Sequence, residues 1–236
     1  MSAVFKKEFR SYFSSPIGYV VLAVMFFFAG FSFFQYNLSA GSSSLSAVYQ
    51  NLYSVVMLLV LPVLTMRLFS DEKRQKTDQA LLTAPTSLTS VVLGKFFAAL
   101  LLFVIGISIT LVFAIIIASK VSLEWLVFIG NFLGLTLLGG MIIAIGMVVS
   151  CLTESQFIAA LGTFGISFLL VLVDNFTSIF QGVTWLAPII SFLSISSRYA
   201  NFTVGLIRYD DLIFFLSMQA LFIFIAVRVL DRKRWN

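Results

Sequence analysis

The chain contains no histidine, one cysteine and four prolines in 236 residues, and only 11% of its residues are charged. Without histidine there is no His-dependent catalytic triad, no HExxH metalloprotease site and no His-ligated haem or zinc. The single cysteine, Cys151, cannot form an internal disulfide, a CxxC redox pair or a thiolate metal site, and it reads as a small apolar residue at a helix end. No GxxxxGK[ST] phosphate loop occurs, so energy from a nucleotide has to come from another chain. Every charged residue falls near the end of an apolar run. That placement removes the midplane carboxylates or lysines of an ion-coupled transporter, and equally the acid pair or metal cluster of an intramembrane enzyme.

What is abundant is apolar surface: 60% of the residues are hydrophobic, 27 are Phe, and the mean hydropathy is +1.06. A soluble domain carries about 45 to 50% apolar residues. The net charge of +5 would suggest a nucleic-acid partner in a soluble chain. In a membrane chain the basic residues instead map topology, and no nucleic acid is expected.

The uncharged run between Arg10 and Arg67 is too long for one membrane helix and suits two, broken at Asn37 to Ser44. Six spans are predicted, near 17–36, 47–66, 88–119, 125–150, 157–173 and 212–230, the fifth being short. Lys95 and Arg228 lie close enough to span ends to snorkel toward head groups. An even number of spans places both termini on one side. That side then holds Lys6, Lys7, Arg10, Arg67, Lys73, Arg74, Lys76, Lys95, Arg228, Arg232, Lys233 and Arg234, twelve of the fifteen basic residues, and is read as cytoplasmic. Ser108, Thr110, Thr136 and Ser167 in the apolar interior, and the Gly130 to Gly134 GxxxG stretch, read as helix-packing positions.

Three segments do not span. In residues 1–15, Phe5, Phe9, Tyr12 and Phe13 repeat on one helical face while Lys6, Lys7 and Arg10 fall mainly on the other, and Pro16 closes the segment. A basic amphipathic helix of this kind lies in the inner membrane interface. Residues 67–87 form the largest charged cluster. Ser70 is a candidate N-cap, Asp71 and Glu72 sit at the positive end of the dipole, and Pro85 follows the end. Glu72 with Lys76 and Arg74 with Asp78 are i,i+4 pairs of opposite sign, and Leu81 and Leu82 make an apolar patch. A helix of about 13 residues, near 20 Å long, exceeds what a turn needs, so a docking element is predicted. Residues 175–211, with Gly182, Trp185, Pro188, Arg198 and Gly205, are too apolar for a free loop and too interrupted for a seventh span. Short re-entrant helices tolerate that pattern where protein covers the backbone. Asp174 can pair with Arg198 or Arg208.

Taken together these features resemble the ABC-2 type permease, the membrane subunit of an ABC exporter. The resemblance covers the whole chain and rests most on Phe5-Lys6-Lys7-Glu8-Phe9 with Ser14-Ser15-Pro16-Ile17-Gly18-Tyr19, and on Asp71-Glu72-Lys73-Arg74 through Leu81-Leu82-Thr83-Ala84-Pro85. The first piece is similar to the gliding-motility-associated permease subunits of that superfamily. Where the superfamily often has Gly-Thr-Glu, this chain has Lys76-Thr77-Asp78.

The resemblance implies an all-α polytopic membrane fold in a single permease domain, residues 1–236. It implies that residues 1–15 form an interfacial helix with Phe5, Lys6, Lys7, Phe9, Arg10 and Phe13 as its working residues. It further implies that residues 70–84 form a coupling helix seated in an ATPase cleft, through Asp71, Glu72, Lys73, Arg74, Lys76, Thr77, Asp78, Leu81 and Leu82. Residues 175–211, including Trp185, Pro188 and Arg198, correspond to extracytoplasmic re-entrant helices. The chain itself would be non-catalytic and hold no cofactor, with ATP and Mg bound by a partner dimer of ABC ATPase subunits. A second permease chain, identical or related, completes the path, with membrane lipids and an auxiliary extracytoplasmic subunit as further partners. The cell membrane is the expected location.

Two other readings fit the same residues: a membrane scaffold that recruits a cytoplasmic partner without moving substrate, and a self-sufficient channel. The absence of midplane charge disfavours the channel.

Overall fold

The structure, a computed structural model, describes residues 1–77, 87–176 and 195–235, with the side chains of 173–176 and 233–235 left aside. All regular structure among the described residues is helical. Five helical stretches are long and apolar enough to cross a membrane: Pro16–Ser39, Ser46–Arg74, Leu88–Ala118, Trp125–Leu152 and Tyr209–Arg232. The remaining predicted span falls within helix Gln156–Phe176. The chain is a multi-pass membrane protein.

Helix α1 (Ser2–Ser14) ends where Ser15 turns extended, at φ −112° and ψ 154°, as the residue before a proline prefers. Pro16 then occupies the first turn of α2 (Pro16–Phe33), where its missing N–H removes no hydrogen bond. The two helices meet so closely at this corner that a Cβ on Gly18 would lie 2.3 Å from the carbonyl oxygen of Tyr12, so only glycine fits. A π-helical stretch, Phe34–Ser39, completes the first span.

The second span is α3 (Ser46–Val55), a π-helical stretch (Val56–Val60) and α4 (Leu61–Thr65), which α5 (Ser70–Arg74) follows after a turn. Pro62 explains the change of pitch. A proline inside a helix loses one hydrogen bond and crowds the carbonyl four residues back, and a π turn beside it relieves both. The third span is α6 (Leu88–Ile107) and α7 (Ile109–Ala118), divided at Ser108, whose hydroxyl donates to the carbonyl of Ile105 at 2.6 Å. The fourth, α8 (Trp125–Leu152), is straight-run, deeply buried and central. α9 (Gln156–Phe176), α10 (Ile195–Thr203) and α11 (Tyr209–Trp235) complete the described chain.

α8 holds the bundle together by close approach, since a Cβ on Gly134 would come 2.7 Å from the Phe202 side chain of α10. The Tyr49 and Thr110 hydroxyls bond across the second and third spans at 2.7 Å, as expected of Thr110. Ser108 and Thr136 bond within their own helices instead, and the Ser167 hydroxyl has no partner among the described residues.

Candidate functional site

Within 67–77, the charged residues Arg67, Asp71, Glu72 and Lys73 are held against the bundle. Arg67, leaving the second span, donates from Nε and Nη2 to Asp71 Oδ2 at 3.0 and 2.8 Å and from Nη1 to Ser15 Oγ at 2.9 Å. Asp71 Oδ1 accepts from Gln156 Nε2 at 2.6 Å and from Arg74 Nη2 at 3.3 Å. The backbone N–H groups of Phe69 and Ser70 both donate to Ser150 Oγ at 3.0 Å. The segment is thus tied to the α1–α2 corner, to the end of α8 and to the start of α9.

The centre of this end is Lys95, two turns into α6 and fully buried. Its Nζ donates to Glu8 Oε1 on α1 and to Glu72 Oε1 on α5, each at 3.0 Å, and lies 5.0 Å from the Phe69 ring. The sequence reading of a snorkelling Lys95 is therefore replaced by an ion triad. The reason is energetic: two partly covered carboxylates within reach offer a buried ammonium charge-assisted hydrogen bonds that outcompete a stretch to the head groups. Lys7 Nζ, exposed, stands 4.0 Å from Glu72. Burial, and secondarily the Glu8 carboxylate, push the pKa of the neighbouring Tyr12 hydroxyl up, against a smaller opposing pull from Arg67. A cleft of about 310 Å³ lies between α1 and α5, with Glu8, Arg67, Asp71, Glu72 and Lys95 on its walls.

The predicted coupling residues divide into two sets. Asp71, Glu72 and Lys73 face the bundle, the Lys73 ammonium donating to the carbonyl of Cys151. Arg74, Gln75, Lys76 and Thr77 are exposed. The expected Glu72 to Lys76 pair is replaced by Glu72 to Lys95, and Arg74 pairs with Asp71. Ser70 is inside the helix instead of capping it, its hydroxyl donating to the Met66 carbonyl.

The helix also closes early. Lys76 has φ +55°, its N–H donates to the carbonyl of Lys73 at 3.0 Å, and the N–H of Thr77 donates to that of Glu72 at 2.9 Å. Those two bonds make a Schellman closure, with Lys76 at the left-handed position that glycine usually fills. Asp78, Leu81 and Leu82, with the rest of the predicted helix to Ala84, lie outside the described residues.

On α1, Phe5, Phe9 and Phe13 form a ladder, with ring centroids 6.0 and 5.2 Å apart, half-buried against the bundle, while Lys6, Lys7 and Arg10 are exposed. At the other end of the molecule Arg198 Nη1 donates to Asp211 Oδ1 at 3.1 Å, and its guanidinium lies 4.2 Å from the Phe214 ring. Arg208 pairs with Asp210 at 3.2 Å. Trp185, Pro188 and the Asp174 side chain lie outside the described residues.

Sequence reasoning placed Lys95 on this side but as a snorkelling residue, and it did not bring Glu8, Ser150 or Gln156 into the site. One trace was present: Glu8 interrupts an otherwise basic helix, and Lys95 interrupts an otherwise apolar one. Among the described residues no cluster of Cys, Asp and Glu could hold a metal ion.

Compared with known proteins, the chain matches the family described as ABC-2 family transporter protein over residues 2–234. No curated protein matches it.

Proposed function

The chain belongs to the ABC-2 family of transporter proteins, and on that premise we propose that it is the permease subunit of an ABC exporter, driven by ATP hydrolysis in a separate ATPase chain. The observation that carries the proposal is the Lys95 triad. It clamps α1 and α5, the two helices that precede and follow the first two spans, to the start of the third span, while leaving Arg74 to Thr77 exposed beyond the clamp. A push on an exposed tip moves a span only if the tip is rigidly attached to it, and ion pairs of short length supply that attachment.

In this reading Arg74, Gln75, Lys76 and Thr77, continuing into Asp78, Leu81 and Leu82, contact the ATPase. Asp71, Glu72 and Lys73 are instead positioning residues that hold the tip. Residues 1–15 lie along the inner membrane surface, Gln156–Phe176 is the fifth of six spans, both termini are cytoplasmic, and residues 175–211 cover the outer end. A second permease chain completes the path, and ATP and Mg are bound by the ATPase alone.

The test is a photo-crosslinking amino acid in place of Lys76 in the membrane-embedded chain. It should capture a protein carrying a P-loop, and the same amino acid in place of Ser44, at the opposite end, should not. Capture at Lys76 of a protein without a P-loop would favour the scaffold reading instead.

A further inference from the structure

A groove runs along the outside of the bundle between the first turns of α6 and the second half of α11, at the same end as Lys95. It encloses about 520 Å³, and its apolar walls include Leu93, Ala220, Ile223, Phe224 and Val227. Ala220 and Phe224 are exposed, and both belong to the membrane-crossing stretch Tyr209–Arg232. The groove therefore opens sideways, where a bilayer supplies hydrocarbon, and walls of this kind give water no polar partners to hold it.

The order of groups along α11 carries the inference. Where the apolar walls end, Arg228 lines the groove, and Asp231 follows three residues later, about 4.5 Å further along the helix axis. The Arg228 guanidinium lies 5.1 Å from the Phe224 ring, which keeps it at the groove. Arg228 Nη1 and Asp231 Oδ2 stand 3.9 Å apart, too far for a hydrogen bond, and the two side chains are 66% and 42% exposed. Both keep capacity for a partner from outside the chain.

From the bilayer outward the order is thus hydrocarbon groove, cation, anion. A zwitterionic phospholipid presents the complement in the same order: acyl chain, phosphate, amine. The helix dipole agrees, because an ammonium at Asp231 sits beside the negative end of α11, while a phosphate at Arg228 is about two turns from that end, where the dipole has faded. A phosphatidylglycerol head group brings no cation to Asp231. A phosphatidylcholine head group brings a cation without an N–H for the carboxylate. A second copy of this chain packed over the groove would strip water from both Arg228 and Asp231, a cost that a head group at the membrane surface avoids by leaving their outer sides wet.

We propose that this groove binds phosphatidylethanolamine, with an acyl chain between α6 and α11, the phosphate on Arg228 and the ammonium on Asp231. None of these residues belongs to the Lys95 triad or to the exposed tip, so the inference stands apart from ATPase coupling.

The experiment is native mass spectrometry of the full-length chain, purified in mild detergent with the subunits it retains and offered equal amounts of phosphatidylethanolamine, phosphatidylglycerol and phosphatidylcholine. Phosphatidylethanolamine should be retained over each of the others by about five-fold, the scale of a partly exposed charge contact. Arg228→Gln should weaken all three together, because all share the phosphate, and Asp231→Asn should erase the preference over phosphatidylglycerol. Ala220→Trp fills the groove and should lower the binding of all three. None of these positions is buried, so the fold is retained, which circular dichroism checks. The proposal is overturned if the three lipids bind equally, if Asp231→Asn leaves the preference intact, or if Arg228→Gln or Ala220→Trp leaves lipid binding unchanged. It is equally overturned if Ala220→Trp changes the number of permease chains in the particle, which would make a second copy the occupant.

Discussion

The two ends of the bundle solve the same problem, closing helix termini at a membrane surface, with opposite chemistry. At the Lys95 end the contacts are ionic and span four elements: Glu8, Arg67, Asp71, Glu72 and Lys95 are all paired within 3.0 Å. At the other end the contacts among the second span, α7 and α10 are mostly neutral, such as Tyr49 with Thr110 at 2.7 Å and Tyr53 with Ser196 at 2.9 Å. Among the described residues, Asn37 Oδ1, Asn131 Oδ1 and the Tyr199 hydroxyl at that end have no hydrogen-bond partner. A network of short charged bonds resists displacement and moves as one piece, whereas neutral hydrogen bonds hold their elements less firmly. The first is suited to taking up force.

The contrast can be broken at its strongest point first. Lys95→Met leaves two carboxylates facing each other under cover, and should cost about 3 kcal/mol of stability, read as a lower unfolding temperature in detergent. Glu8→Gln should cost less, because Lys95 keeps Glu72. At the opposite end Asp211→Asn removes the charge that holds Arg198 and should cost about 2 kcal/mol by the same readout, loosening α10 alone. Tyr49→Phe deletes one neutral buried bond while Thr110 keeps its bond to the Ile107 carbonyl, so the loss should be about 1 kcal/mol. Smallest of all, Arg74→Ala breaks an exposed pair and should change stability by less than about 1 kcal/mol. If Arg74→Ala also leaves ATP hydrolysis by the assembled complex untouched, the tip is not where the ATPase binds.

Lys76 sharpens the comparison from within. The family wording that resembles this loop has glycine where this chain has lysine, and Lys76 stands at φ +55°, a conformation that glycine adopts without cost. Lys76→Gly should therefore keep or slightly raise stability, while any loss of coupled hydrolysis would report the ammonium itself.

Span positions were legible in the sequence because hydropathy is a local property. The start of α6 at Leu88 and of α8 at Trp125 fall where the charge and apolar runs place them. The proline corner at Ser15 and Pro16 was equally local. The pairing of charges was not, since Lys95 is separated from Glu8 by 87 residues and no local pattern distinguishes a snorkelling lysine from a clamped one. The pair expected between Glu72 and Lys76 assumed a helix that continues, while Asp78, the expected partner of Arg74, lies outside the described residues. The turn at Lys76 ends that helix, and a lysine there gives no warning of a left-handed backbone.

The decisive measurement is ATP hydrolysis and subunit retention in the complex purified through the tagged full-length chain in mild detergent, comparing the native sequence with one in which residues 71–78 are replaced by a neutral flexible linker. A P-loop ATPase that copurifies with the native chain, and is lost or uncoupled with the linker, is the expected result. Assembly and coupled hydrolysis that both survive the replacement would contradict the assignment of this loop to energy transfer.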